Sequence, residues 1–353
     1  MGAGYGVAMS SQSILRALPF IAILLVVVVD LITGPRVGFL ALLTLGPAFA
    51  SVAGGVRRTA LVGVLALAIC VPLAVYDGLL GRTSNYLTLA AIVGVTAASM
   101  LASRLRNRRE RELANLRLVA EAAQRVLLRP VPRRASDLRI ALSYTSAAAE
   151  AQIGGDLYEV VTTPEGVRIL IGDVQGKGLE AVETAAWVLG AFREAAYDQS
   201  ELAGVVERVE TSLARHLSGE KFVTAILAEV HDGEISLLNC GHPAPLVLRR
   251  DGVHFAEPQE EALPLGLGAL GSPRPKPHRV PFGEGDQILF YTDGVIECRD
   301  RNGHFYPLAE RAHLLRGADP QVALDALRAD LLRHVGGPFL DDAAMLLLRR
   351  HPG

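Results

Sequence analysis

Four short segments carry the residues best suited to chemistry: Ile153-Gly-Gly-Asp156-Leu-Tyr-Glu159, Gly172-Asp173-Val174-Gln-Gly-Lys177-Gly178, Thr292-Asp293-Gly294 and Leu340-Asp341-Asp342. Each stands where a β-rich run begins or ends. Val160 and Val161 follow the first, residues 167–171 precede the second, 287–291 precede the third and 343–348 follow the fourth. Strand ends beside glycine-rich turns are where a rigid sheet can hold side chains in a cleft. Carboxylates gathered in this way repel one another unless they hold cations. An all-oxygen set suits hard Mg²⁺ or Mn²⁺ rather than zinc, which prefers His and Cys. Two such ions about 3.5–4 Å apart would lower the pKa of a shared water and aim it at a phosphorus atom for in-line displacement. Taken singly the segments are weak signals, since Gly-Asp after a strand is commonly a turn, Asp-Asp a cap, and Gly-Gly-Asp also occurs in nucleotide cyclases.

Other reactive side chains have simpler explanations. His242, in Cys-Gly-His-Pro, is expected to brace a turn rather than to act as a general acid. Cys240 lies in no Cys-x5-Arg phosphate loop, which excludes a cysteine phosphatase. Lys177 is either a point charge for phosphate or a solvated turn residue, and Trp187 is expected in the core.

The elements that position these residues fall into two chemically distinct parts. Only seven of the 72 formally charged side chains lie in residues 1–103. Apolar runs at residues 14–32, 37–53, 59–76 and 86–103 approach the roughly 20 residues needed to cross about 30 Å of hydrocarbon. Four transmembrane helices are therefore expected over residues 1–103. Arg16, Arg57, Arg58 and the cluster from Arg104 to Arg111 lie on one side, against Arg36 and Arg82 on the other. The positive-inside rule then places both ends, and the polar part, in the cytoplasm of a multi-pass plasma-membrane protein. Ala48-Phe-Ala50 resembles a signal-peptidase site but lies too far past the first run to serve it. Asp30 and Asp77 fall near span ends, where they read as interfacial carboxylates or, alternatively, as buried sensing groups.

Residues 104–135 form the expected linker. Leu113, Leu116, Ala120, Ala123 and Leu127 follow a 3,4,3,4 spacing, which suits a short parallel coiled coil and a homodimer, or an amphipathic helix packed on its own domain. Pro130 and Pro132 end it. Three scattered cysteines give no disulfide framework, and a net charge of −2 gives no electrostatic case for nucleic acid.

Read in chain order, the segments Ile153-GGDLYE, Ile171-GDVQGKGLEA, Lys221-FVTAILAEV, Asn239-CGHPAPLVLRR, Leu263-PLGL, Gly285-DQILFYTDGVIE and Leu340-DDAAMLLLRR strongly resemble the SpoIIE-type (RsbU-like) branch of the metal-dependent protein serine/threonine phosphatases, the PPM family. The resemblance covers roughly residues 120–350 and leaves out the membrane region. It implies an α+β fold, an α-β-β-α sandwich spanning residues 136–353 with metals at one end of its sheets. It also implies two divalent cations, Mn²⁺ or Mg²⁺. By resemblance Asp156, Asp173, Asp293 and Asp341 are the catalytic metal ligands, joined by the Val174 backbone carbonyl and by Asp342 as the neighbouring candidate. The implied activity is hydrolysis of phosphoserine or phosphothreonine by a metal-bridged hydroxide, on a phosphorylated anti-anti-sigma factor in a partner-switching pathway. The two helices expected after Gly-Asp, near residues 179–217, are the implied route by which the linker regulates the site, so that inserting three or four linker residues should change basal activity. Gln152, Glu159 and Ala344 depart from the commoner acidic, Asp and Thr residues of the family, but none removes a metal carboxylate. A catalytically inactive membrane scaffold that binds a phosphoprotein is the alternative, and the filled carboxylate positions weigh against it.

Overall fold

A computed structural model describes residues 11–34, 39–145, 154–216, 221–268, 274–337, 339 and 341–351. Gln152 and Leu340 lie outside these. The chain divides into two compact units, residues 1–115 and 116–353.

The first unit is helical. Its helices are α1 (Ser11–Thr33), α2 (Leu45–Ala53, preceded by a 3₁₀ segment, Leu40–Thr44), α3 (Val56–Tyr76) and the start of α4 (Thr83–Leu127). Among the described residues, three helices are long and apolar enough to cross a membrane: Leu15–Thr33, Val56–Tyr76 and part of Thr83–Leu127. The second apolar run, expected to be a full span, forms only a shorter apolar helix, Leu40–Val52. Large apolar side chains such as Leu24, Ile32, Leu61, Val64 and Leu87 point outwards, as expected where lipid rather than water is the solvent. Ile23, Val26, Leu43, Val62, Ala66 and Ile92 pack within. α4 continues without a break past residue 103, where the linker was expected to begin as a separate element.

In the second unit, among the described residues, six antiparallel strands form one sheet, in the order β1 (Arg134–Ala135), β2 (Leu138–Thr145), β11 (Ala343–Arg350), β10 (Gln287–Tyr291), β7 (Leu246–Leu248) and β8 (Val253–Phe255), and five form the other, in the order β3 (Leu157–Thr163), β4 (Gly166–Val174), β5 (Val223–His231), β6 (Glu234–Cys240) and β9 (His278–Pro281). The strands that position the site are β2, β3, β4, β5, β10 and β11. Val167, Ile169 and Ile171 of β4 meet Ile288, Phe290, Leu346 and Leu348 between the sheets. Leu170 and Val174, on the opposite face, pack under α5 (Leu179–Asp198) and α6 (Leu202–His216). The outer face of the other sheet lies under α9 (Pro320–Val335). Both faces of each sheet are covered, so strands that would alternate in a half-exposed sheet read as continuous apolar runs. The result is the expected α-β-β-α sandwich.

The apolar stripe of α4 is divided. Ala120, Ala123 and Leu127 pack against Val182 of α5, whereas Leu113 and Leu116 are exposed. The Arg193 guanidinium donates to the Leu127 carbonyl at 2.7 Å and pairs with Glu159 at 2.6 Å, fastening the end of α4 to α5 and β3. Trp187, expected in the core, is only partly buried and stacks on His216 at 4.7 Å, joining α5 to α6.

Candidate metal centre

The four carboxylate segments, up to 186 residues apart in sequence, meet at one end of the two sheets. Asp156 directly precedes β3, Asp173 is the penultimate residue of β4, Asp293 opens the short helix α7 (Asp293–Ile296), and Asp341-Asp342 lead into β11. Glycines permit the approach. A Cβ on Gly155 would overlap the Val174 carbonyl, and one on Gly154 would lie 2.7 Å from Asp342 Oδ2. A Cβ on Gly294 would fall on the Asp342 backbone carbonyl. Gly176 and Gly178, with φ of +96° and +87°, turn the chain from β4 into α5 and carry Lys177 to the rim.

The five side chains form an open row rather than a clasp around one point. Among the described residues no three His, Cys, Asp or Glu side chains close into a single-ion site. Asp156 and Asp342 occupy the buried end, 3% and 2% exposed. Asp156 accepts from Thr292 Oγ1 at 2.9 Å, and Asp342 accepts from the Tyr144 hydroxyl. Asp341 lies at the open end with 49% of its side chain exposed, and its Oδ1 meets Lys177 Nζ at 2.7 Å. Burial, reinforced by Asp173 and Asp342, raises the Asp156 pKa well above the carboxylate range, with Thr292 opposing. Burial, then the charges of Asp293, Asp341 and Asp342, push Asp173 up to about 7. Burial and the nearby Glu297 and Asp341 raise Asp293. Lys177 opposes the last two shifts, but one ammonium cannot neutralise five carboxylates. The donor set is therefore all oxygen and short of positive charge, which fits divalent hard cations. The Val174 carbonyl lies against Gly155 at the same sheet end.

The structure thus brings together every metal-site residue expected from the sequence. It places Lys177 on Asp341, neither free for phosphate nor merely solvated. Three contributors were missed. Thr292 Oγ1 also accepts from the Ala344 amide at 3.0 Å, tying Asp156 to β11. Tyr144 reaches Asp342 from β2, and Gln124 of α4 donates to the Tyr144 hydroxyl at 3.0 Å and to the Gly154 carbonyl at 3.3 Å. Thr292 stood in a quoted motif, but nothing around Tyr144 or Gln124 in the sequence marked either. Tyr144→Phe should keep the fold, because its ring packs on Tyr158. It should weaken Mn²⁺ binding about 10–100-fold, the usual effect of removing a group that orients a ligand, which calorimetry would read directly.

His242 braces the site, as expected. Its ring nitrogens meet Thr224 Oγ1 at 3.0 Å and the Tyr291 carbonyl at 3.1 Å, and burial lowers its pKa to about 4. A neutral ring whose one N–H is given to the Tyr291 carbonyl, and whose other nitrogen accepts from the Thr224 hydroxyl, is not placed to exchange a proton with substrate at neutral pH. His242→Ala should therefore cost about 1–3 kcal/mol of stability through the partners left unpaired, with turnover altered less than about tenfold; a large rate loss without destabilisation would contradict this. Cys240 is buried and its thiol is pushed up to about 12, which makes it inert as a nucleophile.

The sequence of residues 163–351 matches the protein family described as Stage II sporulation protein E (SpoIIE). The chain belongs to the SpoIIE family. The match begins after Asp156, so that residue enters the site on structural grounds. A curated relative, phosphoserine phosphatase RsbU of Bacillus subtilis, is 24% identical over 208 residues, covering 56% of this chain and 60% of RsbU. The match thus spans less than two thirds of that relative. In fold, the SiaA-PP2C domain of Pseudomonas aeruginosa superposes with a TM-score of 0.55 at 17% identity, over 69% of this chain and 98% of that one. The PP2C phosphatase domain and regulatory fragment of SpoIIE from Bacillus subtilis gives 0.51 at 17% identity, over 61% and 64%. Both show the PPM phosphatase fold.

Proposed function

We propose that this protein is a membrane-anchored, metal-dependent protein phosphatase acting on phosphoserine or phosphothreonine. The observation that carries the reading is the row of five carboxylates, drawn from four distant segments and short of positive charge, in a member of the SpoIIE family related to a phosphoserine phosphatase. Asp156, Asp173, Asp293, Asp341, Asp342 and the Val174 carbonyl would hold two divalent cations, with Asp342 oriented by Tyr144. Bound there, Mn²⁺ or Mg²⁺ supplies charge for the phosphoryl oxygens and an ionised water at neutral pH.

The chain's own residues do the positioning. Thr292 and Tyr144 fix the two buried carboxylates, so the row does not rearrange during a turnover. Asp293 lines two clefts, one with Phe339 and Asp341 and the other with Thr224 and His242, which gives a phosphorylated loop access from solvent. Lys177, released from Asp341 when a cation takes its place, would stand at the rim as a point charge for the phosphate.

The relationship to RsbU supports a phosphorylated anti-anti-sigma factor as substrate. The apolar helices and arginine distribution support a plasma-membrane anchor with the catalytic unit in the cytoplasm. Release of phosphate from a phosphoserine protein by the full-length chain in lipid nanodiscs, with Mn²⁺ and with chelator, tests the activity. The exposed Leu113 and Leu116 leave the N-terminal part of the α4 stripe available for a parallel dimer, whereas Ala120, Ala123 and Leu127 are used within the chain. Leu116→Cys should cross-link between copies in membranes; Ala120→Cys should not, being 2% exposed.

A further inference from the structure

Away from the phosphatase site, the membrane unit contains a second pair of facing carboxyl groups. Asp30 lies in the last turn of α1 and Asp77 directly follows α3. Both are buried by protein, at 0% and 8% exposed, and the two carboxyl groups are close enough to repel each other electrostatically. Two ionised carboxylates are acceptors only and cannot bond to each other. Among the described residues neither oxygen of Asp30 has a donor, nor does Oδ1 of Asp77. Asn85, in the first turn of α4 at the same end of the unit, also buries an Oδ1 without a donor. The groups beside Asp30 are the Phe39 backbone amide, outside hydrogen-bonding geometry, and the Cys70 thiol. No described Arg, Lys or His side chain bonds to either carboxyl. Unpaired charge in this setting costs several kcal/mol per group, so two ionised carboxylates are unfavourable here without a positive charge between them.

We propose that Asp30 and Asp77 form a cation-binding site, in which a single positive species bridges their carboxyl oxygens. A proton and a small metal ion offer the same bridging charge. Among the described residues, the ionisable groups here are two carboxyls and the Cys70 thiol, which favours the proton, since it needs only two oxygens, whereas hard metal ions take six or more oxygen ligands. In the topology that the arginine distribution supports, the site lies at the exterior ends of its helices. There it would report the pH or ion content of the exterior to α1, α3 and α4, the helices that carry its residues or adjoin them.

The test uses the full-length protein in nanodiscs, followed by infrared spectroscopy and thermal unfolding across pH, with Na⁺, K⁺, Ca²⁺ or Mg²⁺ added singly. A bound proton predicts a component of the protonated-carboxyl band at neutral pH, beyond that of Asp156 and Asp173, that is lost in both Asp30→Asn and Asp77→Asn. Either amide can donate to the remaining carboxylate in place of the shared proton, so each variant should stay folded with this part of its pH response lost. A metal ion predicts no such component at neutral pH with the ion present, and a rise in melting temperature with one of the four cations that both variants lack. Absence of the component together with indifference to all four cations would overturn the proposal. So would spectra and ion responses that are the same in both variants as in the unsubstituted protein, since the carboxyls and cation response of the phosphatase site contribute equally to all three. The readouts do not involve phosphatase activity, so failure here would leave the phosphatase reading untouched, and the reverse.

Discussion

Replacing Asp173 with Asn should have opposite effects on stability and on activity. In the metal-free protein this carboxyl is buried among Asp293, Asp341 and Asp342 and is pushed up to about 7. Removing its charge relieves that repulsion. A shift from 3.8 to about 7 corresponds to at most about 4 kcal/mol, and partial solvent access reduces the expected gain to about 1–3 kcal/mol. The same change removes a charged metal ligand, and turnover should fall by more than about 10²-fold, beyond the 10–100-fold typical of outer groups. Denaturant unfolding without metal and phosphate release with Mn²⁺ read the two effects. Loss of both stability and activity would mean that Asp173 is structural, and activity near wild type would remove it from the site.

The second large effect is the pH dependence of metal stabilisation. Asp173 has a raised pKa in the folded, metal-free state, so between the unfolded carboxylate range and about 7 the folded chain binds the extra proton. Its contribution is fully present below the unfolded pKa and is lost as pH rises through about 7. The metal-free protein should therefore weaken as pH rises from 4 to about 7. Divalent cations act in the opposite sense because they compete with those protons. At pH 8, Mn²⁺ at about 100 times its dissociation constant should stabilise the fold by about 2.7 kcal/mol. That gain should shrink steadily below pH 7 and be nearly absent at pH 5. Thermal unfolding at several pH values, with and without Mn²⁺, gives both curves; stabilisation independent of pH would mean that the cation binds elsewhere.

The sequence was legible where local chemistry and global fold agree. The apolar runs 167–171, 287–291 and 343–348 became β4, β10 and β11, and each carboxylate stands at the strand end where glycines let two chains approach. Less legible were contacts created by strand pairing. Tyr144 meets Asp342 because β2 and β11 pair with Tyr144 opposite Ala344, a register that neither strand's own pattern specifies. Gln124 likewise reads as one more polar residue on a helix until α4 is packed against the unit. The α4 stripe was ambiguous for the same reason: a 3,4 spacing serves a partner helix or an underlying domain, and α4 uses different parts of it in different ways. Asp30 and Asp77 read as interfacial because distance along a span is visible in sequence, while packing between α1 and α3 is not.

The most direct test of the account is phosphate release from a phosphoserine protein by the full-length chain in nanodiscs, titrated with Mn²⁺ and then with chelator. Release should saturate with Mn²⁺, stop with chelator, and fall more than about 10²-fold in Asp173→Asn although that variant is folded. Release that persists in chelator, or a wild-type protein that binds Mn²⁺ at this row yet releases no phosphate from any phosphoserine or phosphothreonine substrate, would contradict it.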